Sequence, residues 1–132
     1  MKRTISLGAM SASMLIAACA STGEPPINQR NAAILEGLET TGETVGCLQV
    51  RSVDSIKPVT DGKFLLEVGS RYYLSKTNGR CTGASQTTSR LEYNLPTGQL
   101  CSGEIISVVD NQSGILRGNC ALGQFEELRP KG

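Results

Sequence analysis

The sequence contains no histidine and no tryptophan, and aromatic residues make up only 4% of its 132 residues. Without histidine, the usual Ser–His and Cys–His nucleophile arrangements cannot form. The commonest general base and metal ligand is also missing. Any catalysis would therefore depend on carboxylates, and with so few aromatic rings we expect an aliphatic core.

Blocks of like charge are also missing, since 13 basic side chains balance 12 acidic ones. Nucleic-acid binding usually needs a basic patch, so we expect no nucleic-acid partner. The sequence has no Cys-x-x-Cys pair, which argues against a thioredoxin-type redox site. It also has no glycine loop of the kind that cradles phosphates.

The first 18 residues have the pattern of a lipoprotein signal peptide. Lys2 and Arg3 precede an apolar stretch, residues 5–18, which is too short to span a bilayer comfortably. It ends in LIAAC, residues 15–19, which resembles the bacterial lipobox. The alternative is an ordinary secretory signal with a chance cysteine at its end. We predict cleavage before Cys19 and lipidation of its thiol.

Lipidation at Cys19 would anchor the protein to a membrane. Two or three acyl chains, such as palmitate, bind a membrane stably, whereas a single chain binds it only marginally. The next residue, Ala20, is not the aspartate that retains lipoproteins in the inner membrane of enteric bacteria. By analogy, we expect the outer membrane, with the protein facing the periplasm. Signal residues 1–18 are excluded from the fold prediction.

Four further cysteines remain, and an even number in an oxidising compartment predicts two disulfides, with three possible connectivities. Zinc is the rival interpretation, but these cysteines are 34, 20 and 19 residues apart rather than in close pairs. We therefore expect neither a metal nor a cofactor. If the first and last strands of the domain are neighbours, the pairs are Cys47–Cys120 and Cys81–Cys101.

Composition divides the rest of the chain at residue 45. Residues 19–44 have an acidic, tether-like composition with a possible short helix within 28–39, although Gly37 weakens it. From residue 45 to 132, short apolar runs alternate with turn sequences. The strongest strand signal is 105–109, which is β-branched at four of five positions. We predict a mainly β domain, a small antiparallel sandwich or barrel of six or seven strands.

The cysteines and their neighbours form one recurring pattern. It comprises Cys47-Leu48, Arg51-Ser52, Arg71-Tyr72-Tyr73, Arg80-Cys81-x-Gly83, Leu100-Cys101-x-x-Glu104-x-Ile106 and Gly118-x-Cys120-x-Leu122-Gly123-x-Phe125. Over about 80 residues it is similar to a group of short proteobacterial envelope lipoproteins classified only as a domain of unknown function. In that family the position of Glu104 is more often aspartate. The resemblance implies an exported, cysteine-bearing small domain and assigns no activity.

Five carboxylates are the candidates for acid or base chemistry, and two of them together could perform glycosidase-type hydrolysis. They are Asp54, Asp61, Glu92, Glu104 and Asp110. Each is more simply explained as a turn or surface residue. Glu104 stands out, because it follows a Cys-Ser-Gly turn and precedes the strongest strand. There it could accept turn N–H bonds or pair with Arg51 or Arg80.

Arginines and one tyrosine are the candidates for binding. Arg51, Arg71, Arg80 and Arg90 could gather into an anion-binding patch, and scattered surface charge is the alternative. Of the adjacent tyrosines 72 and 73, one should pack inside and one could face a peptide or glycan; we include Tyr73 among the candidates. The sequence thus favours a binding or structural protein of the envelope, with a protein or glycan partner. The alternative is a carboxylate-based hydrolase of envelope glycans.

Overall fold

The computed structural model describes residues 27–132, so the predicted signal peptide and Cys19 lie outside the described residues. One helix precedes ten strands, and a short 3₁₀ turn, Val50–Ser52, separates β2 from β3. The elements are α1 (Gln29–Glu36), β1 (Leu38–Val45), β2 (Cys47–Gln49), β3 (Val53–Thr60), β4 (Lys63–Val68), β5 (Arg71–Lys76), β6 (Ser89–Glu92), β7 (Gln99–Cys101), β8 (Ile105–Asp110), β9 (Leu116–Ala121) and β10 (Phe125–Pro130).

The strands form three antiparallel sheets. The largest has the order β1-β10-β5-β4-β3, the second has the order β6-β8-β9, and β2 pairs with β7 alone. The fold is therefore mainly β and sandwich-like, and it is not a closed barrel. This confirms the fold class predicted from the sequence. The ten strands exceed the six or seven expected. One reason is that residues 45–53, for which the sequence predicts a single strand, are divided among β1, β2 and β3.

Strand β4 is buried on both faces, which explains its unbroken apolar run. Phe64 and Leu66 pack into the main core with residues of β8 and β10, including Ile106 and Phe125. Leu65 points the other way, into a second cluster with Val59 and Leu128. Burying each such side chain contributes about 1.5–3 kcal/mol. The large sheet therefore has a core on each side of its centre.

Helix α1 covers the second cluster. The Asn28 side chain caps the helix by accepting a hydrogen bond from the backbone N–H of Asn31 at 3.2 Å, and Gly37 follows the last turn. On this helix, Ala32 and Leu35 pack against the cluster of Val59, Leu65 and Leu128. The helix thus forms a small layer over one face of the large sheet.

The sheet begins at Leu38, before the boundary expected at residue 45. Among the described strands, β1 is an edge strand that pairs only with β10, and most of its side chains are exposed. Its register shifts between Thr40 and Thr44, around Gly42 with φ of 88°. A strand that is stabilised by pairing rather than by burial lacks apolar alternation, so its composition is typical of a tether.

Two disulfides join Cys47 to Cys101 and Cys81 to Cys120. The expected pairs Cys47–Cys120 and Cys81–Cys101 are therefore wrong. The first and last strands are neighbours as assumed, but the first strand is β1, which lies before Cys47. Cys47 instead lies opposite Cys101 across the β2–β7 pair, with 4.0 Å between their Cα atoms.

Candidate functional site

A cleft of about 420 Å³ opens between edge strand β3 of the large sheet and edge strand β6 of the second sheet. We call it the edge cleft. Its apolar lining comes from Ile56 and Pro58 on one side and Ala84 and Leu91 on the other. The remaining lining residues are Asn28, Gln86, Thr87, Ser89, Arg90 and Tyr93. Such a mixture of apolar walls and a few polar groups is typical of binding sites.

A second depression of about 710 Å³ lies past the end of β6, and we call it the acidic groove. The groove is lined by Glu92, Tyr93, Asn94, Ser102, Gly103, Glu104, Ile105 and Ser107. The lining contains two carboxylates and no lysine or arginine. Because Tyr93 lines both depressions, its ring marks the boundary between them. Tyr93 is 43% exposed and Ile105 is 55% exposed.

The end of β6 determines the position of Tyr93. The alternation of Leu91, Tyr93 and Leu95 with polar residues predicts a half-buried strand through residues 91–95, but β6 ends at Glu92. Leu91 and Leu95 pack against the main core as that alternation requires, whereas the Tyr93 side chain faces solvent. After β6 the chain turns, and the Gly98 N–H donates to the Leu95 carbonyl at 3.2 Å. Tyr93 is therefore presented on the surface beside the sheet.

Glu104 is half-buried in the acidic groove. Its backbone is held by the turn before it, because its N–H donates to the Cys101 carbonyl at 3.1 Å. Within residues 27–132 its carboxylate makes no ion pair or side-chain hydrogen bond, so the expected partners Arg51 and Arg80 do not reach it. Of the two groove carboxylates, Glu92 is already held by Arg90, with Nη2 2.8 Å from Oε1. Glu104 is the one left available to a ligand.

Three of the four candidate arginines, Arg71, Arg80 and Arg90, have separate partners rather than one shared anion site. Arg80 lies 3.6 Å from a carboxylate oxygen of Asp61. The pKa of Arg71 is raised first by its hydrogen bond with the Tyr73 hydroxyl and then by the charge of Glu127. Tyr73 itself is only 6% exposed, so its ring is not a binding platform. Arg51, in the 3₁₀ turn, is exposed.

Asp61 is a buried structural carboxylate. It accepts hydrogen bonds from the backbone N–H groups of Gly83 (3.2 Å) and Ser85 (3.1 Å) and from the Ser85 hydroxyl (2.8 Å). Burial alone would raise its pKa, but the bonds from Ser85 and Gly83 and the charge of Arg80 hold the pKa below its ordinary value. Asp61 thereby holds the loop that contributes Ala84 and Gln86 to the edge cleft.

Asp110 and Asp54 also have structural roles. The Ser113 N–H and the Arg117 guanidinium lower the pKa of Asp110 well below its usual range. Asp54 accepts the Gly69 N–H at 2.7 Å and so fixes the β4–β5 turn. These two carboxylates hold turns, as the simpler interpretation of the sequence expected. Only Glu92 and Glu104 of the five candidates line a common depression.

Ser89 is a feature that the sequence did not indicate. Across residues 27–132, its Oγ is the one fully buried side-chain N or O atom without a hydrogen-bond partner. Such an atom carries a desolvation cost that a partner would remove. Ser89 is the first residue of β6 and lines the edge cleft.

Comparison with known proteins identifies no relative: no family model, curated protein or solved structure matches this chain. In the part of the chain from Ile27 onward, no helix is long and apolar enough to cross a membrane. Over the same residues, no three Cys, Asp or Glu side chains are grouped so as to hold a metal ion.

Proposed function

We propose that this protein is a lipid-anchored component of the bacterial envelope that binds another envelope molecule at the edge cleft and the acidic groove. The observation that carries the proposal is the exposed ring of Tyr93, which lies between the two depressions. An exposed tyrosine offers a rigid apolar face and a hydroxyl, and such residues are enriched at binding surfaces.

The surroundings of Tyr93 support binding in two ways. The edge cleft offers apolar walls from two different sheets, including Ile56 and Leu91. The acidic groove offers the carboxylate of Glu104, which has no charged partner in the described part of the chain. A ligand that spans both depressions would contact an apolar wall, an aromatic ring and a negative charge.

Photocrosslinking in intact cells tests the binding site. A photoreactive amino acid replaces Tyr93 in the full-length protein, and the matched control carries it at Arg129, which is exposed on β10 and lines neither depression. We expect a discrete crosslinked product from position 93 that the control does not give. Identical products from both positions, or no product from position 93, would contradict the proposal.

Metabolic labelling tests the lipid anchor separately. Cells fed a palmitate analogue should label the wild-type protein, while Cys19→Ala should remain unlabelled and keep its signal peptide, because the acylated thiol is absent. Fractionation of the labelled envelope then shows whether the protein resides in the outer membrane. Equal labelling of the two proteins would refute lipidation at Cys19.

A hydrolase of envelope glycans is the second candidate, because Glu92 and Glu104 line the same groove. Glycosidases use two carboxyl groups separated by roughly 5–10 Å, one of which must donate a proton. Arg90 already holds Glu92 in an ion pair, whereas Glu104 has no ion pair within the described residues. The purified protein is incubated with isolated peptidoglycan, and soluble fragments are measured. Release that both Glu104→Gln and Glu92→Gln abolish would replace the binding proposal with the enzymatic one.

A further inference from the structure

Within residues 27–132, strand β6 has a hydrogen-bonded neighbour on only one side, β8, and its other edge faces the edge cleft. In an antiparallel pair, alternate residues direct their backbone groups to the neighbour. The Asn111 N–H donates to the Thr88 carbonyl at 2.9 Å, so Arg90, two residues after Thr88, also faces β8. Ser89 and Leu91 therefore direct their backbone groups away from β8, towards the cleft.

The backbone groups on this outer edge are largely without partners. The Ser89 N–H is used locally, by a 3.3 Å bond to the Gln86 carbonyl. Within residues 27–132, neither the Ser89 carbonyl nor the Leu91 N–H and carbonyl has a hydrogen-bond partner in the protein. The buried Oγ of Ser89 adds a fourth unpartnered group on the same strand. Unpaired groups at strand spacing are a template for another extended chain.

The opposite wall of the cleft is a poorer template. On β3, the Val59 carbonyl already accepts the Asn28 N–H at 2.8 Å, and the Pro58 carbonyl accepts the Asn31 side chain at 2.7 Å. Proline also has no N–H to offer. Its ring and the Ile56 side chain instead provide an apolar wall. A chain in the cleft would pair with β6 and pack its side chains against β3.

Charge indicates which residues this chain would carry. Past the end of β6 lies the acidic groove, where Glu104 has no cationic partner in the described part of the chain. A lysine or arginine beyond the paired segment would find an opposite charge there. A glycan could stack on Tyr93, but it has no regular alternation of donors and acceptors to match the edge of β6.

We propose that the partner is an extended peptide segment that adds a strand to the free edge of β6 and places a basic side chain against Glu104. This inference rests on the binding function proposed above and names the class of partner. Backbone hydrogen bonds would supply much of the affinity, and the cleft and groove would select side chains.

The test uses the full-length protein purified from membranes in detergent and random displayed peptides of about ten residues. Leu91→Pro removes an outward N–H without removing a bond to β8, and Leu91→Ala is the matched control, since it shortens the side chain but keeps the N–H. We expect the dissociation constant of a selected peptide to rise about tenfold more for Leu91→Pro than for Leu91→Ala. Glu104→Gln should weaken the binding of peptides that contain lysine or arginine and leave the binding of other peptides unchanged.

A second measurement does not depend on any variant folding correctly. In the wild-type protein, the Leu91 amide should exchange its hydrogen rapidly when free and become protected when the peptide binds. Methylating alternate backbone nitrogens of the peptide should abolish binding, while methylating the others should not. Failure to select any peptide, equal affinity of the two Leu91 variants, or an unprotected Leu91 amide would each overturn strand addition. A crosslink at position 93 together with any of these results would leave the binding function standing and remove only the peptide assignment.

Discussion

Replacing the buried disulfide by two alanines should destabilise the domain strongly. Cys81 is fully buried and Cys120 is 5% exposed, and both belong to the main core. Their bond ties the loop after β5 to strand β9 across 39 residues of sequence. The double variant Cys81→Ala/Cys120→Ala removes this link and leaves both positions apolar, so no buried hydroxyl or thiol complicates the result.

The expected size of the effect follows from the loop. On the chain-entropy model, a closed loop of this length stabilises the folded state by about 4 kcal/mol. That is a large share of the roughly 5–15 kcal/mol by which a domain is stable. At about 4–8 °C per kcal/mol for a domain of this size, the melting temperature should fall by roughly 15–30 °C.

The second disulfide provides the comparison. Cys47 and Cys101 close a loop of 54 residues, so the entropic model gives nearly the same value, again about 4 kcal/mol. However, Cys47 is exposed and Cys101 only half-buried, so alanine there leaves no core cavity. Removing the sulfur atoms of Cys81 and Cys120 adds a cavity cost. The variant that lacks the buried Cys81–Cys120 disulfide should therefore melt at a lower temperature than the variant that lacks Cys47–Cys101.

Thermal unfolding followed by circular dichroism measures both variants against the oxidised wild type. Reductant should lower the melting temperature of the wild type in the same direction, and a chelator should leave it unchanged. Peptide mapping without reductant should recover Cys47–Cys101 and Cys81–Cys120 peptides. A buried-pair variant that melts within a few degrees of wild type, or above the exposed-pair variant, would refute this reasoning.

Two further predictions concern a glycine and a carboxylate. Gly123→Ala should lower the free energy of unfolding by about 1–3 kcal/mol, because the added Cβ would lie 2.1 Å from the Lys76 carbonyl oxygen. The control Gly46→Ala has open space around it and should change that free energy by no more than about 0.5 kcal/mol. Denaturant titration measures both variants. The folded-state pKa of Asp61 lies below its ordinary value. The stabilisation from this carboxylate is therefore present above the ordinary pKa and is lost as the pH falls through the folded-state pKa. Asp61→Asn should therefore lower stability at pH 7 and flatten the acid limb of the stability curve, and an acid limb as steep as that of wild type would contradict the assignment.

The strands that were predictable from the sequence are those with buried side chains. Strand β8 has its β-branched run and β4 its apolar run because both strands are largely buried. Strand β1 is not predictable in this way, since it is held by its pairing with β10 and by the surface ion pair of Arg129 with Glu39 at 3.0 Å. Neither feature produces an apolar periodicity.

The candidate site was predictable only in part. Glu104 could be singled out from its turn and the strand that follows it. The exposure of Tyr93 could not be predicted, because the alternation of residues 91–95 is equally consistent with a longer strand. The burial of Ser89 Oγ and the contacts of Asp61 with residues 22–24 positions away depend on the tertiary fold alone.

Both walls of the edge cleft are fixed by features that lie outside it. On one side, Asp61 and the Cys81–Cys120 disulfide hold the loop that carries Ala84 and Gln86. On the other, the Asn31 side chain donates to the Pro58 carbonyl and ties helix α1 to β3. Because these contacts fix the walls in the free protein, an entering chain would not have to order them. The entropic cost of binding would then come mainly from the partner, which favours partners that are already extended.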